Sequence, residues 1–236
     1  MFSSGSGNGI AFNPSTNAFV AVGSTISNTV NIARSDDGRS WTALAPVFEV
    51  QGNAVAFSAA TRRWVAVGEG SFVIAFSAND GRSWTPIGGL SGVFSSGRAV
   101  VFGINGWIVF GGGGTGSQSA FSVDGVSWNA TTSPNVFPSV ALGAALGPSG
   151  CVLAVGDSNS VVATSCNGGR TFSTVPAIFP PGVVPTNTAN VTGGPLMIFD
   201  SQTQLYILAT SGSSEKIAYS TSATNWTLAN GTSSLV

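Results

Sequence analysis

The chain has no histidine. A Ser–His–Asp triad, a Cys–His pair and a histidine-ligated metal site are therefore excluded. Charge of either sign is scarce: 8 Lys plus Arg and 9 Asp plus Glu in 236 residues, for a formal net charge of −1. That leaves no basic stripe for nucleic acid and no polybasic patch for anionic lipid. No apolar run approaches the roughly 20 residues that a membrane-spanning helix needs, so membrane insertion is not expected. The opening Met1-Phe2-Ser3-Ser4-Gly5 has neither the charged stretch nor the apolar core of a signal peptide, which by itself assigns no compartment. The Gly111–Gly114 run has no Lys-Ser/Thr partner and no following helix, so it reads as a hairpin loop rather than a phosphate cradle. Asp-rich loops of EF-hand spacing are also missing. No metal and no cofactor are expected.

Low charge can mean disorder, but 43% hydrophobic content in regular short runs argues against it. A turn ending in an aromatic recurs five times: SDDGRSW at 35–41, SANDGRSW at 77–84, SVDGVSW at 122–128, SCNGGRTF at 165–172 and STSATNW at 220–226. The closing aromatics Trp41, Trp84, Trp128, Phe172 and Trp226 are 43, 44, 44 and 54 residues apart. A period of about 40–50 residues with four short strands per unit is the signature of a propeller blade. In the second unit NAVAFS, WVAVG and FVIAFS are β-branched or aromatic runs bounded by turn residues, and Trp84-Thr85 opens a fourth. The second strand opens on Phe19, Trp64, Trp107, Val152 and Leu205 and closes on Gly23, Gly68, Gly111, Gly156 and Ala209. Helical periodicity is absent throughout. The expectation is a single all-β domain over 1–236, a β-propeller of four-stranded antiparallel blades near 8–45, 52–88, 97–131, 140–176 and 193–230. Five units fit a closed ring of five and also a piece of a six- or seven-bladed ring; closure as five is the leading expectation, because an open ring exposes an unpaired blade face.

The turn motif resembles the Asp-box, or BNR repeat, of sialidase-like propellers, Ser-x-Asp-x-Gly-x-Thr-Trp. The match is fullest at 77–84 and 165–172, where Asn79 and Asn167 stand in the Asp position before Gly81 and Gly169. Two shorter units carry Asp37-Gly38 and Asp124-Gly125, and the fifth has Ser222 and Ala223 instead. The motif's chemistry is structural. The Asp or Asn side chain accepts backbone N–H groups across the turn, Gly supplies positive φ, and the aromatic packs between blades. The resemblance implies that these turns join the third and fourth strands on the side away from the ligand site.

Strand alternation then sorts the charges. Arg39, Arg62, Arg63, Arg82, Arg170, Asp200 and the turn aspartates fall at this bottom end; Glu49, Glu69, Asp157 and Glu215 fall at the top with Arg98 and Lys216. Sialidases hold the substrate carboxylate with three convergent arginines, which this top face does not supply. The resemblance thus extends to the scaffold and not to that activity, and no catalytic residue is assigned. The candidate ligand face comprises those four acids and Phe48, Phe94, Phe137 and Phe179, one from each fourth-to-first connection. These rings could stack on sugars or pack between blades as repeated core. The long connection Val175–Gly194, with Pro176, Pro180, Pro181 and Pro185, is a further pointer on the same side.

Cys151 and Cys166, the only two cysteines, flank one hairpin and form a candidate disulfide if the register does not slip by one. Sequons at Asn129, Asn190, Asn225 and Asn230 are no more than this Asn/Ser/Thr-rich composition gives by chance. The leading expectation is a non-catalytic extracellular or particle-surface module, part of a larger protein or assembly, that binds a protein partner. A lectin for neutral glycans at the top face is the alternative, and a glycoside hydrolase the second.

Overall fold

The computed structural model describes residues 2, 5–88, 90, 93–114, 118–132, 136–137, 139–156, 162–175, 196–209 and 217–229. Among these described residues twenty strands form five successive units. Blade 1 comprises β1 (Ser6–Asn13), β2 (Ala18–Ser24), β3 (Ile32–Ser35) and β4 (Thr42–Ala43). Blade 2 comprises β5 (Gln51–Ser58), β6 (Arg63–Glu69), β7 (Ile74–Ser77) and β8 (Thr85–Ile87). Blade 3 comprises β9 (Ser96–Gly103), β10 (Gly106–Gly112), β11 (Ser119–Ser122) and β12 (Asn129–Ala130). Blade 4 comprises β13 (Ala141–Leu146), β14 (Val152–Gly156), β15 (Val162–Ser165) and β16 (Ser173–Val175). Blade 5 comprises β17 (Leu196–Asp200), β18 (Leu205–Ala209), β19 (Ile217–Ser220) and β20 (Thr227–Leu228). Every pairing is antiparallel, and one contact, Glu69 opposite Ser96, links blades 2 and 3 at their inner edge.

Register corrects one column of the sequence reading. Trp64 lies opposite Ser77, Trp107 opposite Ser122, Val152 opposite Ser165 and Phe19 opposite Ser35. In blade 5 the residue opposite the corresponding serine, Ser220, is Tyr206. The column therefore runs through Tyr206 rather than Leu205. An apolar run of LYIL offers two registers, and only the face that packs on blade 4 decides between them. The aromatic pairs obey the same rule: Phe12–Phe19, Phe57–Trp64, Phe102–Trp107 and Phe199–Tyr206 all have ring centroids within 5.0 Å.

The core is divided among the blade junctions. Val20 and Val22 of blade 1 meet Val55, Trp64 and Ala66 of blade 2. Val65 and Val67 of blade 2 meet Val100, Trp107 and Val109 of blade 3. Ile108 and Phe110 meet Val152 and Ala154, and Leu153 and Val155 meet Tyr206 and Leu208. The second strands of blades 2, 3 and 4 thus bury alternate residues against opposite neighbours, and their sequences read as continuous apolar runs for that reason. Innermost strands touch in the series β1, β5, β9, β13, β17. Among the described residues no core joins blade 5 to blade 1, so the expected closure as a ring of five is not seen.

Candidate functional site

The phenylalanines in the fourth-to-first connections are core residues. Phe48, Phe94 and Phe137 are buried within the junctions 1–2, 2–3 and 3–4, with no ring face left for a sugar. The structure therefore corrects their assignment to the ligand face. The closing glycines make room for them. A Cβ on Gly68 would come within 2.5 Å of Phe48 Cγ, one on Gly111 within 2.7 Å of Phe94 Cδ2, and one on Gly156 within 2.7 Å of Phe137 Cδ1. The Phe column and the Gly column are two halves of one contact. Buried Asn31 holds the first of these connections, accepting from Val47 N–H and donating to Phe48 C=O. Phe179, Asp157, Glu215 and the connection Val175–Gly194 beyond its first residue lie outside the described residues.

Two top acids are engaged locally. Glu69 at the end of β6 pairs with Arg98 Nη1 at 2.9 Å and accepts from Gln51 Nε2 at 3.1 Å and Asn53 Nδ2 at 3.2 Å. Glu49 accepts the Ser71 N–H at 3.0 Å, and the hydrogen bonds with Ser71 hold its carboxyl below the ordinary value. Neither is arranged as one of two carboxylates free to flank a bond.

A row of polar residues lines the inner rim beneath them. Asn8, Asn53 and Arg98 occupy the same position, where each first strand bulges: the register jumps between Gly7 and Gly9, between Gly52 and Ala54, and across Arg98 between Gly97 and Ala99. Asn8 Nδ2 donates to Gly52 C=O at 2.9 Å and Asn53 Nδ2 to Gly97 C=O at 2.7 Å. The bulge turns Asn8 and Asn53 toward the next blade, whereas Arg98 reaches back to Glu69 of blade 2. Asn8 Oδ1, Ser96 Oγ and Arg98 Nε are buried without a hydrogen-bond partner. Buried polar atoms of this kind need a partner from outside, whether solvent or ligand. The bulge was not legible in the sequence, because an extra residue leaves no mark on an apolar alternation this short.

In the turns between third and fourth strands, Asp and Asn side chains accept backbone N–H groups. Ser35 Oγ donates to Asp37 Oδ1 at 2.9 Å, and the same oxygen accepts Arg39 N–H at 2.8 Å and Ser40 N–H at 2.7 Å. Asp124 does the same with Val126 and Ser127, both at 2.8 Å. Asn79 accepts Ser83 N–H at 2.9 Å, and Asn167 accepts Thr171 N–H at 3.1 Å. The indoles of Trp41, Trp84 and Trp226 each donate at 3.1 Å to the carbonyl of the residue three before, namely Gly38, Gly81 and Ala223. The tryptophans Trp41, Trp84, Trp128 and Trp226 are half-buried and Phe172 is buried. Gly81, Gly125 and Gly169 sit on Val20, Val65 and Ile108 of the preceding blade, where a Cβ would come within 2.6, 3.2 and 2.7 Å.

The bottom end also holds a feature that the sorting of charges overlooked, a depression of about 730 Å3 lined by Asn13, Thr16, Phe57, Arg62, Asp80 and Arg82. Cys151 and Cys166 are joined by a disulfide directly beyond the Val152–Ser165 pair. No group of three or more Cys, Asp or Glu side chains capable of holding a metal occurs among the described residues. No helix there is long and apolar enough to cross a membrane.

No protein-family model matches the chain, and no curated protein matches it in sequence. Solved structures do. Virginiamycin B lyase from Staphylococcus aureus superposes with a TM-score of 0.68 at 11% identity, covering 94% of this chain and 69% of the lyase. The fold is a β-propeller. YCF48 bound to D1 peptide matches with a TM-score of 0.62 at 18% identity, over 96% of this chain and 67% of YCF48. A chain of the nidogen/laminin complex matches with a TM-score of 0.64 at 9% identity, over 92% of this chain and 76% of that one. Propellers thus include enzymes and partner-binding proteins, and at these identities the likeness is one of fold.

Proposed function

We propose that this propeller is a non-catalytic protein-binding module whose partner docks on the top rim formed by Asn8, Gln51, Asn53, Glu69, Ser96 and Arg98. The observation that carries this is the row of buried polar atoms without partners, an acceptor on Asn8 and donors on Ser96 and Arg98. A polypeptide backbone offers a matching donor and acceptor at every residue. YCF48 with its peptide and the nidogen/laminin pair support the reading as propellers with protein partners. Against a hydrolase stands the engagement of Glu49 and Glu69 in local hydrogen bonds, and against a lectin the burial of the three phenylalanines. We read the bottom turns as Asp-boxes of structural purpose. The disulfide favours an oxidising, extracellular or surface location.

A displayed-peptide library and a glycan array, screened in parallel with the purified protein, test this. The expected result is peptide ligands whose binding is lost in Arg98→Ala and Asn53→Ala and kept in Arg82→Ala at the bottom. Glycan hits alone, or peptide hits indifferent to Arg98 and lost in Arg82→Ala, overturn it.

A further inference from the structure

The two end blades each leave bare a face that every other blade buries. On blade 1, Ile10 is 63% exposed, while Val55 and Val100, at the same register in blades 2 and 3, are each 8% exposed. Phe12 is 42% exposed. Phe19 is half-exposed where Trp64, Trp107, Val152 and Tyr206 are buried, and Phe2 is half-exposed where Phe48, Phe94 and Phe137 are buried. The three atoms nearest to a Cβ on Gly38 all belong to Phe19 of its own blade, whereas Gly81, Gly125 and Gly169 rest on a preceding blade. On blade 5, Ile198 is 52% and Tyr219 40% exposed, on the face where Val65 and Val67 of blade 2 are sealed by blade 3.

We infer that these two faces are blade–blade interfaces, and that their occupant is a pair of further four-stranded blades of the same repeat type, completing a ring of seven. The number is taken from the lyases and the peptide-bound YCF48: five blades span 67–70% of those chains, which leaves length for two more, against 76% of the nidogen/laminin chain. A second copy of this chain would bring five blades to a gap of two, and stacking copies end to end gives an open series rather than a closed ring. The faces also state what the added blades must carry. The blade beyond blade 5 brings a turn glycine onto Ile207, as Gly81 is brought onto Val20, and a Trp64-like aromatic beside it. The blade before blade 1 covers Ile10 and Phe19 with small β-branched residues like Val65 and Val67.

Hydrogen–deuterium exchange on the full chain tests the inference, with a second protein in which a copy of residues 46–131 follows the last blade in the same polypeptide. In the unextended monomer, β1 and β18 amides are expected to exchange at least about tenfold faster than those of β5 and β10. In the extended protein they should slow to the β5 level. A monomer that already protects β1 and β18 like β5 closes alone as five and overturns the proposal. Protection that rises with protein concentration in the unextended chain identifies a second copy as the occupant and also overturns it. Should the extended chain not fold, Ile10→Asp and Ile198→Asp are compared with Val55→Asp in the original protein. Tolerance of the first two and loss of folding in the third are expected; equal damage from all three overturns the proposal.

Discussion

Arg34, on the third strand of blade 1, reaches Asp80 in the bottom turn of blade 2, donating from Nη2 to the carboxylate at 3.2 Å and from Nε to the backbone carbonyl at 2.7 Å. Asn13 and Thr16 of blade 1 donate to the other carboxylate oxygen at 2.9 and 3.0 Å. Arg34 and Asp80 are only 8% and 17% exposed, so this is an inter-blade clamp with nearly all of its hydrogen-bonding capacity satisfied. Burial pushes the Asp80 carboxyl up, but the bonds from Asn13, Thr16 and Arg34 outweigh it and hold the group below its ordinary value.

Removing Arg34 leaves the largely buried Asp80 with only the exposed Arg82, at 3.6 Å, as counterion, whereas removing the Asp80 charge leaves Arg34 still paired with the exposed Asp36 at 2.7 Å. Arg34→Met is therefore expected to destabilise by about 3 kcal/mol, and Asp80→Asn by less, since Asn keeps two acceptor lone pairs for Asn13 and Thr16. The double variant should cost less than the sum of the two, by about 1–3 kcal/mol. Urea unfolding of the four proteins measures the cycle. Strict additivity would show that the pair contributes nothing beyond its separate bonds.

The acid limb of stability should come largely from the bottom turns. Ser40 and Arg39 N–H groups with the Ser35 hydroxyl lower the Asp37 carboxyl to about 2. At Asp124, burial opposes and the N–H groups of Ser127 and Val126 with the Ser122 hydroxyl prevail, again to about 2. A carboxyl lowered on folding contributes stability fully above its unfolded value of 3.8 and loses it as pH falls toward the folded value. The loss is expected between about pH 4 and pH 2. In Asp37→Asn with Asp124→Asn, the urea midpoint should fall less between pH 5 and pH 2.5, because Asn79 and Asn167 already hold equivalent turns without a charge. An unchanged acid limb would assign the loss to other groups.

The sequence carried the blades and the turns with little ambiguity, because a repeat offers each residue five comparisons. Its limits fell where side chains compete for one face. Phe48 and Gly68 were visible as separate columns, yet only the 2.5 Å approach of a Cβ on Gly68 to the ring shows that one exists for the other. Arg34 and Asp80 are 46 residues apart and sit in positions that the other blades fill differently, so no column revealed them. The bulged rim residues Asn8, Asn53 and Arg98 were hidden for a related reason. A bulge changes where a residue points without changing the apolar pattern around it.

Position 223 offers a test in the opposite direction. Ala223 holds φ at +64°, where the matching residues Gly38, Gly81, Gly125 and Gly169 lie between +72° and +81°. A Cβ costs about 1 kcal/mol in this region, so Ala223→Gly is expected to stabilise the protein by roughly that amount. Gly125→Ala should do worse than the reverse change predicts. Its Cβ would come within 2.9 Å of Trp107 Nε1, adding a clash to the strain. Thermal melts of both variants decide it, and a destabilised Ala223→Gly would show that the methyl group's packing outweighs the backbone.

The disulfide gives the last prediction. Cys151 and Cys166 close a loop of 15 residues around the β14–β15 hairpin, and Cys166 lies between Ser165 and Asn167, which bond to each other in the turn at 3.0 Å. Loop closure of this length restricts the unfolded chain by about 3 kcal/mol. For a protein of this size that corresponds to a fall in Tm of about 6–12 °C on reduction or in Cys151→Ser with Cys166→Ser. Blade 4 packs on both neighbours through Val152, Ala154, Leu153 and Val155, so a loosened hairpin should weaken two junctions together. Proteolysis of the reduced protein is therefore expected to cut at blade 4 and spare the junction of blades 1 and 2, which the Arg34–Asp80 clamp holds. Equal melting temperatures with and without reductant would mean that the cross-link restrains nothing the sheet does not already hold.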